Sequence, residues 1–139
     1  MTHTVRDLMT ANPKSVDIAE PVAGVAALMR DEDVGSVLVL DKAELRGIVT
    51  DRDLAVRVIA EGKDPSSTKA GDIASTDLVA VTPDEPADRV IAIMRQQAVR
   101  RVPVVEDGKP VGILSIGDVA MDFDPASVLS DISLAPANR

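Results

Sequence analysis

Two short runs of this chain carry groups able to hold a ligand, and they match each other position by position. The first is Gly47-Ile48-Val49-Thr50-Asp51-Arg52-Asp53; the second is Gly112-Ile113-Leu114-Ser115-Ile116-Gly117-Asp118. In each, a glycine and two apolar residues lead to a hydroxyl, and a carboxylate follows three residues later. That spacing reads in two ways. As a capping box, the hydroxyl of Thr50 or Ser115 and the carboxylate of Asp53 or Asp118 satisfy free N–H groups at the start of a helix. As a ligand site, the same helix start offers N–H donors and a partial positive charge to a phosphate. The hydroxyl then donates to a phosphate oxygen. The carboxylate, which only accepts hydrogen bonds, takes the hydroxyls of a ribose. The glycine would let a ligand approach the strand backbone. Both readings stand on these residues alone.

The basic residues near the two runs are unevenly placed. Arg52 follows Thr50 and can reach a phosphate, while its counterpart, Gly117, has no side chain to do so. Arg100 and Arg101 stand just before a strand of the second half, where the first half has Gly35 and Ser36. They are either a solvated pair at a strand end or phosphate contacts. The expectation is that one of two sites binds clearly better than the other.

These runs sit in an internal repeat. Sliding the chain by 65 positions aligns residues 6–55 with 71–120 without a gap, and 15 of the 50 pairs are identical. Each copy predicts strand, helix, strand, strand, helix. Ser15-Val16 and Val79-Ala80-Val81 are the first strands. Helices open at Pro21 and Pro86, a residue suited to a first helical turn. Val22, Val25, Ala26 and Met29 form one apolar stripe, and Ala87, Val90, Ile91 and Met94 repeat it. Val37-Leu38-Val39-Leu40 and Val102-Pro103-Val104-Val105 are apolar throughout, as strands covered on both faces are. Pro103 predicts an edge strand, or pairing on one side only at that point. Turns at Asp41-Lys42-Ala43-Glu44 and Glu106-Asp107-Gly108-Lys109 lead to the strands that carry the two motifs. A closing helix runs from Asp51 to about Ala60 and stops at Gly62. The predicted organisation is a first repeat over 5–62, a second over 70–123, and a tail over 124–139. In the tail, Val128, Leu129 and Ile132 mark a short helix that packs back on the core or meets a second copy.

Composition narrows the function classes. The chain has 139 residues, 45% of them apolar, enough for a core that two stacked repeats can share. Phe123 is its only aromatic residue, so a bound base must lie between aliphatic side chains or on an arginine plane. A net charge of −8 and the lack of stacking residues argue against RNA or DNA as a partner. There is no Cys, and His3 is the only histidine, expected in a mobile N-terminus, so thiol catalysis and a metal cluster find no residues. The methionines fit core filling. No apolar run has membrane-spanning length and no signal peptide is legible, which points to a cytoplasmic, non-catalytic protein.

The motif of glycine, two apolar residues, Thr or Ser, any two and Asp, present twice within such a repeat, resembles the CBS domain. Two CBS repeats make a Bateman module, and the resemblance covers about residues 5–123. The Gly47–Asp53 run and the Val99-Arg100-Arg101-Val102-Pro103-Val104 run look like stand-alone bacterial CBS pairs, including the hypoxic-response type. The resemblance implies an α/β pair of repeats packed with pseudo-two-fold symmetry and two clefts between them. It implies a regulatory role with no required cofactor and an adenosine-type ligand: AMP, ADP, ATP, an NAD-type nucleotide or S-adenosylmethionine. Asp53 and Asp118 then hold ribose, and Thr50 and Ser115 contact phosphate or ribose. Val16, Val81, Ile48 and Ile113 wall the adenine. Ligand binding would act on a homodimer or on an effector protein. The alternative is a ligand-free dimerisation scaffold in which the two motifs are caps only.

Overall fold

The computed structural model describes residues 3–123. They form two compact units, one joining the residues up to Pro13 with those from Val79 onward, the other Lys14–Leu78. The expected tail helix lies outside the described residues.

In the first unit, α1 (Val5–Leu8) and β1 (Thr10–Ala11) come from the start of the chain. Then follow α5 (Ala87–Gln97), β5 (Arg101–Glu106), β6 (Lys109–Ser115) and α6 (Ile116–Phe123). The sheet order is β1-β6-β5, antiparallel throughout. In the second unit, β2 (Ser15–Asp17), α2 (Val22–Glu32), β3 (Ser36–Asp41) and β4 (Glu44–Thr50) lead into α3 (Asp51–Asp53). A π-helical stretch, Leu54–Ile59, continues α3, and α4 (Ala70–Ile73) follows. Its sheet order is β2-β3-β4, with β2 parallel to β3.

The predicted helix stripes are the cores. Val22, Val25 and Met29 of α2 pack with Val37, Val39 and Val49; Ala87, Val90 and Met94 of α5 pack with Val102, Val104 and Leu114. Ala26, expected in the stripe, is exposed. Pro21 and Pro86 each sit one place before the first helical residue, with extended backbone.

Each core is completed by the lead-in of the other repeat. Val5 and Leu8 belong to the core built on α5, whereas Ala70 and Ile73 belong to the core built on α2. The same three backbone bonds hold both lead-ins. Val5 N–H donates to Glu85, Arg6 to Pro83, and Ala87 to His3, each at 2.9 Å. Their counterparts are Ala70 to Glu20, Gly71 to Ile18 and Val22 to Thr68, at 2.7, 2.9 and 2.8 Å. His3 is therefore half-buried in a docked arm, not in a loose terminus. In that arm the Thr4 N–H, bonded to Asp7, holds the Asp7 carboxyl below the usual carboxylate range.

One difference between the copies follows from two prolines. Leu38 N–H donates to Lys14 at 2.9 Å and helps zip β2 to β3. Ile18 N–H donates to Leu40 at 2.8 Å in the same ladder. The repeat puts Pro103 in place of Leu38 and Pro83 in place of Ile18, and proline has no N–H to donate. The strand expected at 79–81 accordingly shrinks to one bridge, Val81 to Val104. There Val81 donates to Pro103 at 3.1 Å and accepts from Val105 at 2.8 Å.

The motif glycines serve the fold rather than a ligand. A Cβ on Gly47 would lie 2.8 Å from the Ser75 carbonyl oxygen and 3.0 Å from Ala74 Cβ. Ile48 and Ser75 exchange two backbone bonds at that point, of 3.1 and 2.9 Å. Around Gly112 the space is filled by Met9 and by the Thr10 carbonyl. The reading that a ligand uses this space is thus corrected: the partner lead-in occupies it. Gly47→Ala should cost about 1–3 kcal/mol in urea or thermal denaturation, because backbone, not a flexible side chain, must move. An unchanged midpoint would contradict the close approach.

Candidate ligand site

In the first unit, β6 delivers Ser115 to the start of α6. Ser115 N–H donates to Asp118 Oδ2 at 2.9 Å, and Asp118 N–H donates to Ser115 Oγ at 3.2 Å. The capping box therefore forms. It occupies one carboxylate oxygen, and the other, Oδ1, accepts from Thr10 Oγ1 at 3.2 Å. Arg101 pairs with Ser115 across β5 and β6, and the Arg100 carbonyl accepts from Ile116 N–H at 2.9 Å. These register bonds bring both arginines to the helix start. The result is a cavity of about 290 Å³ lined by Arg100, Arg101, Ser115, Ile116 and Gly117. Both arginines are exposed, and neither guanidinium has an ion-pair partner among the described residues.

The second unit repeats the frame with other side chains. Thr50 N–H donates to Asp53 Oδ2 at 2.8 Å, and Asp53 N–H to Thr50 Oγ1 at 3.2 Å. Arg57 Nε lies 3.7 Å from Asp53 Oδ1, and the same guanidinium donates to the Ile73 carbonyl at 3.0 Å. The Asp53 side chain is only 13% exposed. Ser36 pairs with Thr50, and the Gly35 carbonyl accepts from Asp51 N–H at 2.9 Å. Arg52 is exposed, and its N–H is taken by Asp51 Oδ1 at 2.9 Å.

The apolar residues divide. Val16, Ile48 and Ile113 are half-buried on their strands, whereas Val81 is 4% exposed, packed in its own core. Thr10 and Arg57 were not singled out from sequence. Arg57 stands at i+4 from Asp53, a visible signal. Thr10 aligns with Ser75 in the repeat, so a hydroxyl recurs there, but its contact lies 108 positions away. Among the described residues no group of three His, Cys, Asp or Glu side chains is placed to hold a metal ion, and no helix is long and apolar enough to cross a membrane.

Two copies of one helix-strand-strand-helix frame, each carrying the same hydroxyl and carboxylate pair, define a tandem-repeat module. The CBS domain model matches residues 5–59 and again 70–134, and the chain belongs to the CBS-domain family, carrying the domain as a pair. Such pairs are regulatory, ligand-binding modules rather than a catalytic family. The CBS domain-containing protein YhcV of Bacillus subtilis is 34% identical over 119 residues, covering 86% of this chain and 84% of its own. Hypoxic response protein 1 of Mycobacterium tuberculosis is 33% identical over 118 residues, 84% of this chain and 82% of that protein. A crystal structure of Hypoxic Response Protein I with two coordinated zinc ions superposes with a TM-score of 0.77 at 31% identity, over 87% of this chain and 99% of that one. The CBS domain pair of protein MJ0100, in complex with 5′-methylthioadenosine and S-adenosyl-L-methionine, shares the fold at a TM-score of 0.79. Its identity is 23%, over 91% of this chain and all of that one.

Proposed function

We propose that this chain is a cytoplasmic sensor of an adenosine-type nucleotide, and that the ligand acts through the module's pairing with a second copy or with an effector protein. The observation that carries the reading is the cavity of the first unit, lined by Arg100, Arg101 and Ser115, whose guanidiniums have no ion-pair partner among the described residues and whose hydroxyl accepts from the Asp118 N–H. Arginines arranged with a hydroxyl in this way suit a phosphate group. A carboxylate with one oxygen in a cap keeps acceptor capacity on the other for ribose hydroxyls. Ile113, on the same strand as Ser115, supplies the apolar contact for a base; Ile48, its counterpart in the repeat, stands on the strand of Thr50, and Val16 lies on β2, paired with Val39. The adenosine compounds bound by MJ0100 support the ligand class at the level of fold analogy alone. Self-association is supported by apolar side chains exposed on one π-helical stretch: Ile59 is 69% exposed and Val56 44%.

A second reading, the ligand-free scaffold, is favoured by one observation. The same carboxylate-to-backbone bond closes α1 at Thr4 and Asp7 and α4 at Lys69 and Asp72, where no ligand is assigned. A box of this kind is therefore not evidence for a ligand by itself; the arginine pair and the cavity are. Thermal shift with AMP, ATP, NADH and S-adenosylmethionine separates the two readings. A ligand at about a hundred times its Kd adds about 2.7 kcal/mol to the folded state, a shift of several degrees. A melting temperature indifferent to all four, with nothing adenosine-like released from the natively purified protein in mass spectrometry, leaves the scaffold.

A further inference from the structure

The two repeats allow a comparison at matched positions, because the backbone bonds that frame the two motifs are the same. Arg101 pairs with Ser115 as Ser36 pairs with Thr50, and Ile116 donates to Arg100 as Asp51 donates to Gly35. At these positions it is the side chains that differ. At Arg100, Arg101, Ser115, Ile116 and Gly117 the formal charge is +2; at Gly35, Ser36, Thr50, Asp51 and Arg52 it is zero. The key substitution is Asp51 where the other copy has Ile116. The Asp51 carboxylate takes the Arg52 N–H at 2.9 Å, so an anion already sits beside that donor. The matching Gly117 N–H meets no side chain among the described residues, and Gly117 is one of the residues that line the cavity.

Resting on the nucleotide reading above, we infer that phosphate is received beside Ser115 alone, and that Asp51 is the specificity-determining residue that turns it away beside Thr50. A second anion at Asp51 would face a like charge and would have to displace a bonded carboxylate.

The test is calorimetry with ADP and with adenosine on the full chain and on Ile116→Asp, Ile116→Asn and Asp51→Asn. The wild-type chain should bind one ADP, at least about tenfold tighter than adenosine. Ile116→Asp should erase that advantage while leaving adenosine binding in place, and Ile116→Asn should keep most of it. Ile116 is 46% exposed, so these changes do not open the core. Asp51→Asn should add a second ADP event. Two equal ADP sites in the wild type, an ADP preference that survives Ile116→Asp, or no second event in Asp51→Asn would each overturn the inference. Absence of binding by both compounds to the wild-type chain would instead sink the nucleotide reading on which it rests.

Discussion

Asp118→Asn should weaken binding of an adenosine nucleotide by about ten- to a hundredfold while barely moving the melting temperature. The two effects separate because the carboxylate does two things with two oxygens. Oδ2 accepts from Ser115 N–H and closes the cap at 2.9 Å. An asparagine carbonyl oxygen performs that task equally well. Oδ1 faces the Thr10 hydroxyl at 3.2 Å, and a hydroxyl can reverse its role and accept from an amide NH₂. The substituted chain thus keeps every bond that the fold uses. It loses the ability to accept twice with full charge, which is what the two hydroxyls of a ribose require. Alanine would be a poorer choice, since it also removes the cap, at a cost of about 1 kcal/mol. Titration calorimetry beside a thermal melt gives both numbers. A large fall in melting temperature with affinity unchanged would assign Asp118 to the cap alone.

The hydroxyl and carboxylate pairs were legible because they recur, and recurrence at a fixed offset is a signal that no single motif supplies. What the repeat could not indicate was which chain segment surrounds them. Thr10 meets Asp118 only because the lead-in of one repeat is seated on the strands of the other. The same exchange explains the motif glycines. Gly47 and Gly112 read as openings for a ligand, yet the exchanged lead-ins fill the space over both. A periodic pattern reports that a strand face is buried, and is silent on what buries it.

Local chemistry was read with similar limits. Asp107-Gly108 predicted a hairpin turn, and both residues have positive φ, 55° and 78°. Lys42-Ala43 takes the same conformation, φ 53° and 69°, without a glycine to signal it. There the pairing of β3 with β4 imposes a backbone that the local residues do not favour. The closing helix was expected as one run from Asp51 to about Ala60. Instead the Ala60 N–H reaches back to Ala55 at 2.9 Å, the wider π turn, which leaves Val58 buried and Ile59 exposed.

The exchange of lead-ins makes its own prediction. Ile73 stands at the start of the second repeat in sequence, 2% exposed, yet it packs with Val25, Val37 and Val49 in the core of the Lys14–Leu78 unit. Ile73→Ala should cost about 2–5 kcal/mol, as large-to-small changes in a closed core do. The melting temperature of a chain this size should fall by roughly 10 °C. Where the loss appears matters more than its size. Hydrogen exchange should show it first in the β2-β3-β4 ladder, whose strands precede Ile73 in the chain, and not in β5 and β6, which belong to its own repeat. If each repeat instead built its own core, protection would drop in β5 and β6 and persist at Leu38 and Val39. The complementary change, Val5→Ala, should do the reverse, because Val5 is fully buried among Val90, Val102 and Leu114. Each core draws on both repeats, so a chain cut in the 62–69 linker leaves neither fragment with a complete core. The pair, rather than the single repeat, is therefore the smallest unit in which Ser115 and Asp118 can be held in place for a ligand.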